Sequence, residues 1–180
     1  MSKNTPFEVD NGIGFIRTFT GNVIDVFNPK PEDICIEDIA HALSNLCRFG
    51  GHSRRFYSVA EHSIRCADEI ENRRNRMAAL MHDASEAYLV DLPSPIKAAI
   101  PEYKKYEDQL MQVIAQKFGF KYPLCLEVKA IDRALLMKEW NELIMPNGAT
   151  FTLDPFEART EFLATFDRIS IEIAKEINNQ

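Results

Sequence analysis

The sequence predicts an all-α domain with a small N-terminal β-hairpin. Apolar residues recur at three- and four-residue intervals from Ile36 onward, the period of a buried helix face. β-Branched and aromatic residues instead flank Gly21-Asn22 in "FIRTFTGNVIDVF", the signature of a hairpin. A chain of 180 residues, 46% hydrophobic and 27% charged, suits one domain with a sizeable core.

Taken in order, the hairpin is ended by "NPKPED". "IEDIAHALSNLCRF" puts Ile36, Ile39, Ala40, Leu43, Leu46 and Cys47 on one helix face and stops at Gly50-Gly51. "YSVAEHSIRCADEI" and "RRNRMAALMHDASEAYL" read as the next two helices, with a short one after Pro93 or Pro95. "PEYKKYEDQLMQVIAQKF" begins with Pro and ends at Gly119, as helices often do. "LEVKAIDRALLMKEWNELI" and "PFEARTEFLATFDRISIEIAKEI" complete the set. Residues 1–180 therefore read as a single domain. Within it, 1–30 are the hairpin and lead-in, 31–145 the helical core expected to carry the chemistry, and 152–180 the C-terminal helix.

A net charge of −6 argues against a wide nucleic-acid face, so no nucleic-acid polymer is expected as partner. No apolar run is long enough to span a membrane, and "MSKNTPFEVDNG" has no apolar core of a secretory signal. Cys35, Cys47, Cys66 and Cys125 form no CxxC pair and read as reduced thiols of a cytoplasmic protein.

The chemistry begins in "ALMHDASEAYLVDLPSPIK", residues 79–97. An ordinary core helix there places His82 and Asp83 side by side, Glu86 one turn on and Asp91 just beyond. Residues three and four apart share a helix face, so Glu86 is expected beside His82 and Asp83. Ala78, Ala79, Ala84 and Ala87 are small enough to let other helices approach closely. Asp132 lies among Val128, Leu135 and Leu136, where a lone carboxylate is costly without a partner. His62 has Val59 and Cys66 a turn away on either side. Taken singly, such groups are more often hydrogen-bonded than metal-bound. Taken together, one divalent cation would satisfy them all, with neutral imidazoles and ionised carboxylates as ligands.

The set His62…His82-Asp83…Asp132 resembles the H…HD…D pattern of the HD superfamily of metal-dependent phosphohydrolases. "YSVAEHS", "HDASEAYLVDLPSPIK" and "VKAIDRALL" are similar to segments of bacterial 5′-deoxynucleotidases. Phage deoxynucleotide phosphohydrolases, dATP triphosphohydrolases among them, share the pattern. The resemblance covers residues 29–140 and implies an HD-domain helical bundle. It implies that His62, His82, Asp83 and Asp132 hold one divalent transition metal, Mn²⁺, Co²⁺ or Zn²⁺, with Mg²⁺ as an accessory ion. It implies Glu86 as the catalytic glutamate, Asp91 as a second acid near the attacking water, and Arg48 on the substrate phosphate. Phe49 falls where these enzymes can carry a tryptophan near the sugar or base, and Lys97 is a further phosphate candidate.

The implied activity is hydrolysis of a nucleotide, foremost a (deoxy)nucleoside 5′-monophosphate to nucleoside and phosphate. The alternative is release of triphosphate from a deoxynucleoside triphosphate such as dATP, for which Arg54, Arg55, Lys97 and Lys104 are candidate extra cations. A non-catalytic nucleotide sensor ranks lower, because every ligand and acid is present. So does a cyclic-nucleotide phosphodiesterase with two metals, because only four histidines exist. The expected setting is the cytoplasm (the host's, for a phage protein), with a small-molecule nucleotide as partner and a homo-oligomer formed through the last helices.

The remaining polar residues have plainer readings. His52, after Gly50-Gly51, is a candidate contact to sugar or phosphate, with an ordinary loop as the alternative. His41 is expected to be a hydrogen-bonded structural residue, Glu61 a surface acid, Trp140 part of the core or of a subunit contact, and "RRNR" a solvated helix start.

Overall fold

In the computed structural model the described residues are 13–145 and 151–178. The start of the lead-in, before Ile13, lies outside them. Strands β1 (Phe15–Arg17) and β2 (Val23–Asp25) pair antiparallel, with Ile16 opposite Ile24. The connecting turn is closed by Thr18 N donating to Asn22 O at 2.9 Å, with Gly21 at φ 90°. Ile24 is fully buried, and Thr20 donates through its N and Oγ1 to the buried Asp38 at 2.7 and 2.9 Å. The hairpin is thus fastened to the first helix by one apolar and one polar anchor.

Eight α-helices follow among the described residues: α1 (Ile36–Asn45), α2 (Val59–Glu69), α3 (Arg76–Leu80), α4 (Glu86–Leu89), α5 (Ser94–Lys97), α6 (Pro101–Phe118), α7 (Leu126–Glu139) and α8 (Pro155–Asn178). Helix α2 is the centre of the core. Val59, Ala60, Cys66 and Ala67 are fully buried on it, against α1, α3, α7 and α8. Ser58 caps its N-terminus by accepting from Glu61 N at 3.1 Å. Phe162 and Ile169 of α8 fill the opposite side of the same core. Helix α6 starts at Pro101 and ends at Gly119 in the left-handed conformation, as the sequence predicts. No helix among the described residues is long and apolar enough to cross a membrane.

Three expected helices depart from a continuous α-helix. The first ends at Asn45 rather than running to Phe49. Residues 46–48 become extended and pair with residues 57–59 through Arg48 N to Tyr57 O at 2.9 Å and Val59 N to Leu46 O at 3.0 Å. Arg48 is thereby laid beside the start of α2. The helix expected through "RRNRMAALMHDASEAYL" breaks into α3, a run of tight turns at 81–85, and α4. His82 Nδ1 donates to Ala79 O at 2.7 Å, the carbonyl that a continuing helix would offer to Asp83 N. His82, Asp83 and Glu86 therefore do not share a regular helix face. Finally, α7 widens after Glu139 into a π turn, Trp140–Ile144.

Candidate metal centre and cleft

Three segments converge on His62. Its Nε2 lies 3.1 Å from His82 Nε2, 3.1 Å from Asp132 Oδ1 and 3.9 Å from Asp83 Oδ2. His82 Nε2 is 3.2 Å from Asp83 Oδ2 and 3.7 Å from Asp132 Oδ1. Cys66, one turn after His62 on α2, places its Sγ 3.5 Å from the same His62 nitrogen. Ligand atoms of His62, Cys66, His82 and Asp132 all lie within 4.8 Å of one another, a grouping that can hold a metal ion.

The tautomers make the case for a cation. His62 Nδ1 faces Glu139 Oε1 at 2.7 Å, and His82 Nδ1 faces the Ala79 carbonyl at 2.7 Å. Both oxygens accept, so each ring carries its proton on Nδ1 and presents a bare Nε2. Two lone pairs then face each other across 3.1 Å with a carboxylate oxygen alongside. Such a set of acceptors is repulsive until a proton or a metal sits among them. A proton alone is held firmly. Burial and Arg48 oppose the His62 imidazolium, yet hydrogen bonds to Asp132, Cys66 and Glu139 push its pKa up to about 10. Burial likewise works against His82, but Asp83 and Asp132 carry it upward. Burial would raise Asp132 and Asp83, and the two histidines hold both below the usual carboxylate range. Two neutral-capable imidazoles and two ionised carboxylates, with a thiol beside them, fit a divalent transition metal.

Glu139 locks this arrangement from the core side. It is fully buried, accepts from Tyr57 Oη at 2.5 Å and from His62 Nδ1, and its Oε2 faces Arg48 Nε at 3.3 Å as an ion pair. Burial would raise its pKa, but the bonds to His62 and the charge of Arg48 hold it ionised. The other end of Arg48 reaches Asp83, Nη1 to Oδ2 at 3.3 Å. A carboxylate on the far nitrogen of a ligand histidine fixes both ring orientation and tautomer. Nothing in the sequence reading singled out Glu139 or Tyr57; the available signal was that Glu139 lies seven residues, two helical turns, after Asp132.

A cleft of ≈ 370 Å³ opens on the Asp132 side. Arg48, Phe49, Glu86, Asp91, Lys97 and Asp132 line it together with Leu92, Leu136, Met137, Trp140 and both prolines of "PSP". Lys97 Nζ sits 3.4 Å from Glu86 Oε1 and 2.5 Å from Glu107 Oε1. Glu86 Oε2 is buried with no hydrogen-bond partner among the described residues. Burial, reinforced by Asp83 and Asp91, raises the pKa of Glu86 well above the ordinary glutamate value. Burial raises Asp91 as well, against the pull of Arg48. A second cleft, ≈ 450 Å³, reaches His82 from the other side, with Lys104 and Lys129 among its walls.

Two strained backbones border the first cleft. Phe49 has φ 57° and ψ 27°, and Val90, just before Asp91, has φ 64° and ψ 160°. Tyr103 Oη donates to Val90 O at 2.6 Å and pins the second of these. Non-glycine residues held at positive φ cluster at functional sites.

Other sequence-selected residues fall elsewhere. His52, Arg54 and Arg55 are exposed, and none of them lines the first cleft. His41 stacks on Phe19 of the hairpin turn with ring centroids 3.9 Å apart. Glu61 is no surface acid: it is 4% exposed, accepts from Leu153 N at 2.9 Å and pairs with Arg65 at 2.6 Å. Trp140 is not core. It is 46% exposed, lines the cleft, and meets Phe49 edge to face at 6.0 Å. Of "RRNR", Arg76 is drawn inward to Ala67 O and Glu172.

No family model matches the sequence. Two relatives do. The uncharacterized protein YfdR of Escherichia coli K12 is 39% identical over 137 residues, 76% of each chain. The uncharacterized protein RCAP_rcc00048 of Rhodobacter capsulatus is 38% identical over 128 residues, 66% of this chain and 65% of its own. With more than a third of the residues identical over three quarters of both sequences, the chain belongs to the family of YfdR.

Proposed function

We propose that the chain is a metal-dependent phosphohydrolase of the HD type, acting on nucleotides and foremost on (deoxy)nucleoside 5′-monophosphates. The observation that carries this reading is the convergence of His62, His82, Asp83 and Asp132 in a cluster that reaches, through Asp132, a cleft also lined by Arg48, Glu86, Asp91 and Lys97. A divalent metal bound by the two histidines and two aspartates would polarise the phosphoryl group and acidify a water. Arg48, anchored by Asp83 and Glu139, places a guanidinium on the phosphate side, where its fork matches phosphate oxygens. Glu86 presents an unpartnered carboxylate oxygen able to orient water and exchange a proton with it, and Asp91 lines the same wall. Phe49 and Trp140 form an aromatic wall suited to a flat base.

Charge favours the monophosphate. The cleft is lined by two cations, Arg48 and Lys97, against three carboxylates, Glu86, Asp91 and Asp132. One divalent metal, counted with its other carboxylate ligand Asp83, brings that balance to neutral, which leaves few cations for the extra charge of a triphosphate. Release of triphosphate from dATP remains the alternative, and the lysines of the second cleft are the cations it would call on.

The test uses metal-depleted protein reloaded in turn with Mn²⁺, Co²⁺, Zn²⁺ and Mg²⁺ and given a panel of nucleoside mono- and triphosphates. Products are separated by ion exchange. Nucleoside and orthophosphate from monophosphates are expected. Inorganic triphosphate from dATP establishes the alternative, and no turnover with any metal rejects a hydrolase of this class.

A further inference from the structure

Cys66 is the donor of the cluster that the reading above leaves without a task. It is fully buried, so it faces neither solvent nor substrate, and it borders neither cleft. Its position four residues after His62 puts both side chains on the same face of α2. That stacking brings Sγ to 3.5 Å from the His62 nitrogen that also meets His82 and Asp132.

The spacings suit a shared ion. Zn–N bonds of about 2.0–2.1 Å and a Zn–S bond of about 2.3 Å in a tetrahedron separate two nitrogens by about 3.3 Å and nitrogen from sulfur by about 3.5 Å. Cys66 Sγ stands 3.5 Å from His62 Nε2 and within 4.8 Å of the His82 and Asp132 donor atoms, and the nitrogen and oxygen ligand atoms stand 3.1, 3.1 and 3.7 Å apart. His62 and Cys66 would close the buried back of the ion, while Asp132 and His82 border the two clefts.

We propose that Cys66 supplies a thiolate ligand to the metal held by His62, His82 and Asp132, so that the centre selects a thiophilic ion such as Zn²⁺ or Co²⁺ over Mg²⁺. The inference rests on the metal-dependent reading given above. As the sulfur–metal bond forms, the S–H bond breaks and its proton leaves to solvent. Asp83, the second aspartate of the ligand set given above, is also held by Arg48 and would make the thiolate the fifth donor. A soft sulfur donor penalises hard, oxygen-seeking ions, so the thiolate decides metal identity as well as affinity.

Cobalt reads this directly. Metal-depleted full-length protein loaded with one equivalent of Co²⁺ is expected to show visible d–d bands and a near-ultraviolet sulfur-to-cobalt charge-transfer band. Cys66→Ser and Cys66→Ala should keep the visible bands and lose the charge-transfer band. Loss of an outer partner of a metal already costs roughly 10–100-fold in affinity, so loss of this ligand should weaken Zn²⁺ binding at least that much and leave Mg²⁺ binding unchanged. Visible bands without charge transfer in the wild type, or charge transfer surviving in Cys66→Ala, overturn the assignment and leave the metal-dependent reading standing. No retained cobalt at all overturns both. Zinc-edge X-ray absorption of the wild type needs no variant: a sulfur shell at about 2.3 Å supports the proposal, and a nitrogen- and oxygen-only shell overturns it.

Discussion

The cleft side and the core side of His62 are served by one helix, through two carboxylates seven residues apart. Asp132 meets Nε2 at 3.1 Å with its side chain 41% exposed, whereas Glu139 meets Nδ1 at 2.7 Å with none of its side chain exposed. The chemical group is the same and the surroundings are opposite. Asp132 keeps access to the cleft, as the proposed ligand of an ion that would also accept water and substrate requires. Glu139 is closed in by Tyr57, His62 and Arg48, as a group that must not move needs. Distance to the histidine does not tell these roles apart; exposure and the number of other partners do.

The sharpest way to break that comparison is to remove the cleft side. Asp132→Ala and His82→Ala proteins, shown to be folded, are expected to lose bound metal and hydrolysis to background, with metal content read by atomic emission. Full metal content and turnover in both would end the reading of the centre. Glu139→Gln should do less. The ligands stay, but the ring loses its charged anchor, so metal affinity falls by roughly 10–100-fold. Equal loss in Asp132→Ala and Glu139→Gln would erase the distinction between the two sides.

The next effect is on pH. In the metal-free protein His62 keeps a proton up to about pH 10, and metal must displace it. Apparent affinity should therefore rise with pH, by about tenfold per unit for each proton released, and level off above the histidine pKa. Glu139 is one of the groups that raise that pKa, so in Glu139→Gln the levelling-off should move to lower pH. Affinity that stays flat from about pH 6 to about pH 9 would remove His62 from the ligand set. The smallest effect belongs to Tyr57→Phe. It removes one donor to a buried carboxylate and should cost about 1.5–3 kcal/mol of stability in thermal or denaturant unfolding, with metal stoichiometry unchanged.

The same contrast explains what the sequence disclosed. Asp132, His62 and the His82-Asp83 pair are ionisable groups in apolar patterns, and such misfits are visible at the level of residue order. Glu139 lies in "MKEWNE", where charge looks like an ordinary solvated face, and only the packed partners make it a buried anchor. Cys66 passes for a small apolar residue until its neighbours are in place. The helices of the core and the hairpin were legible because periodicity and turn chemistry are local. The break after Leu80 was not, since the apolar pattern continues through it and a side chain, His82, takes the backbone acceptor. The end of α1 was hidden for a similar reason: residues 46–48 leave the helix for a pairing with residues 57–59.

Val90 bears on how this protein would respond to laboratory evolution. A β-branched residue at φ 64° and ψ 160° occupies backbone territory that is close to glycine-only and costs on the order of 1–3 kcal/mol. A library selected solely for heat resistance should therefore enrich Val90→Gly early, since glycine adopts that shape freely. The same change would give Asp91, the next residue, a swivel in place of a fixed mount. Variants that melt later but turn over more slowly are the expected harvest of such a selection.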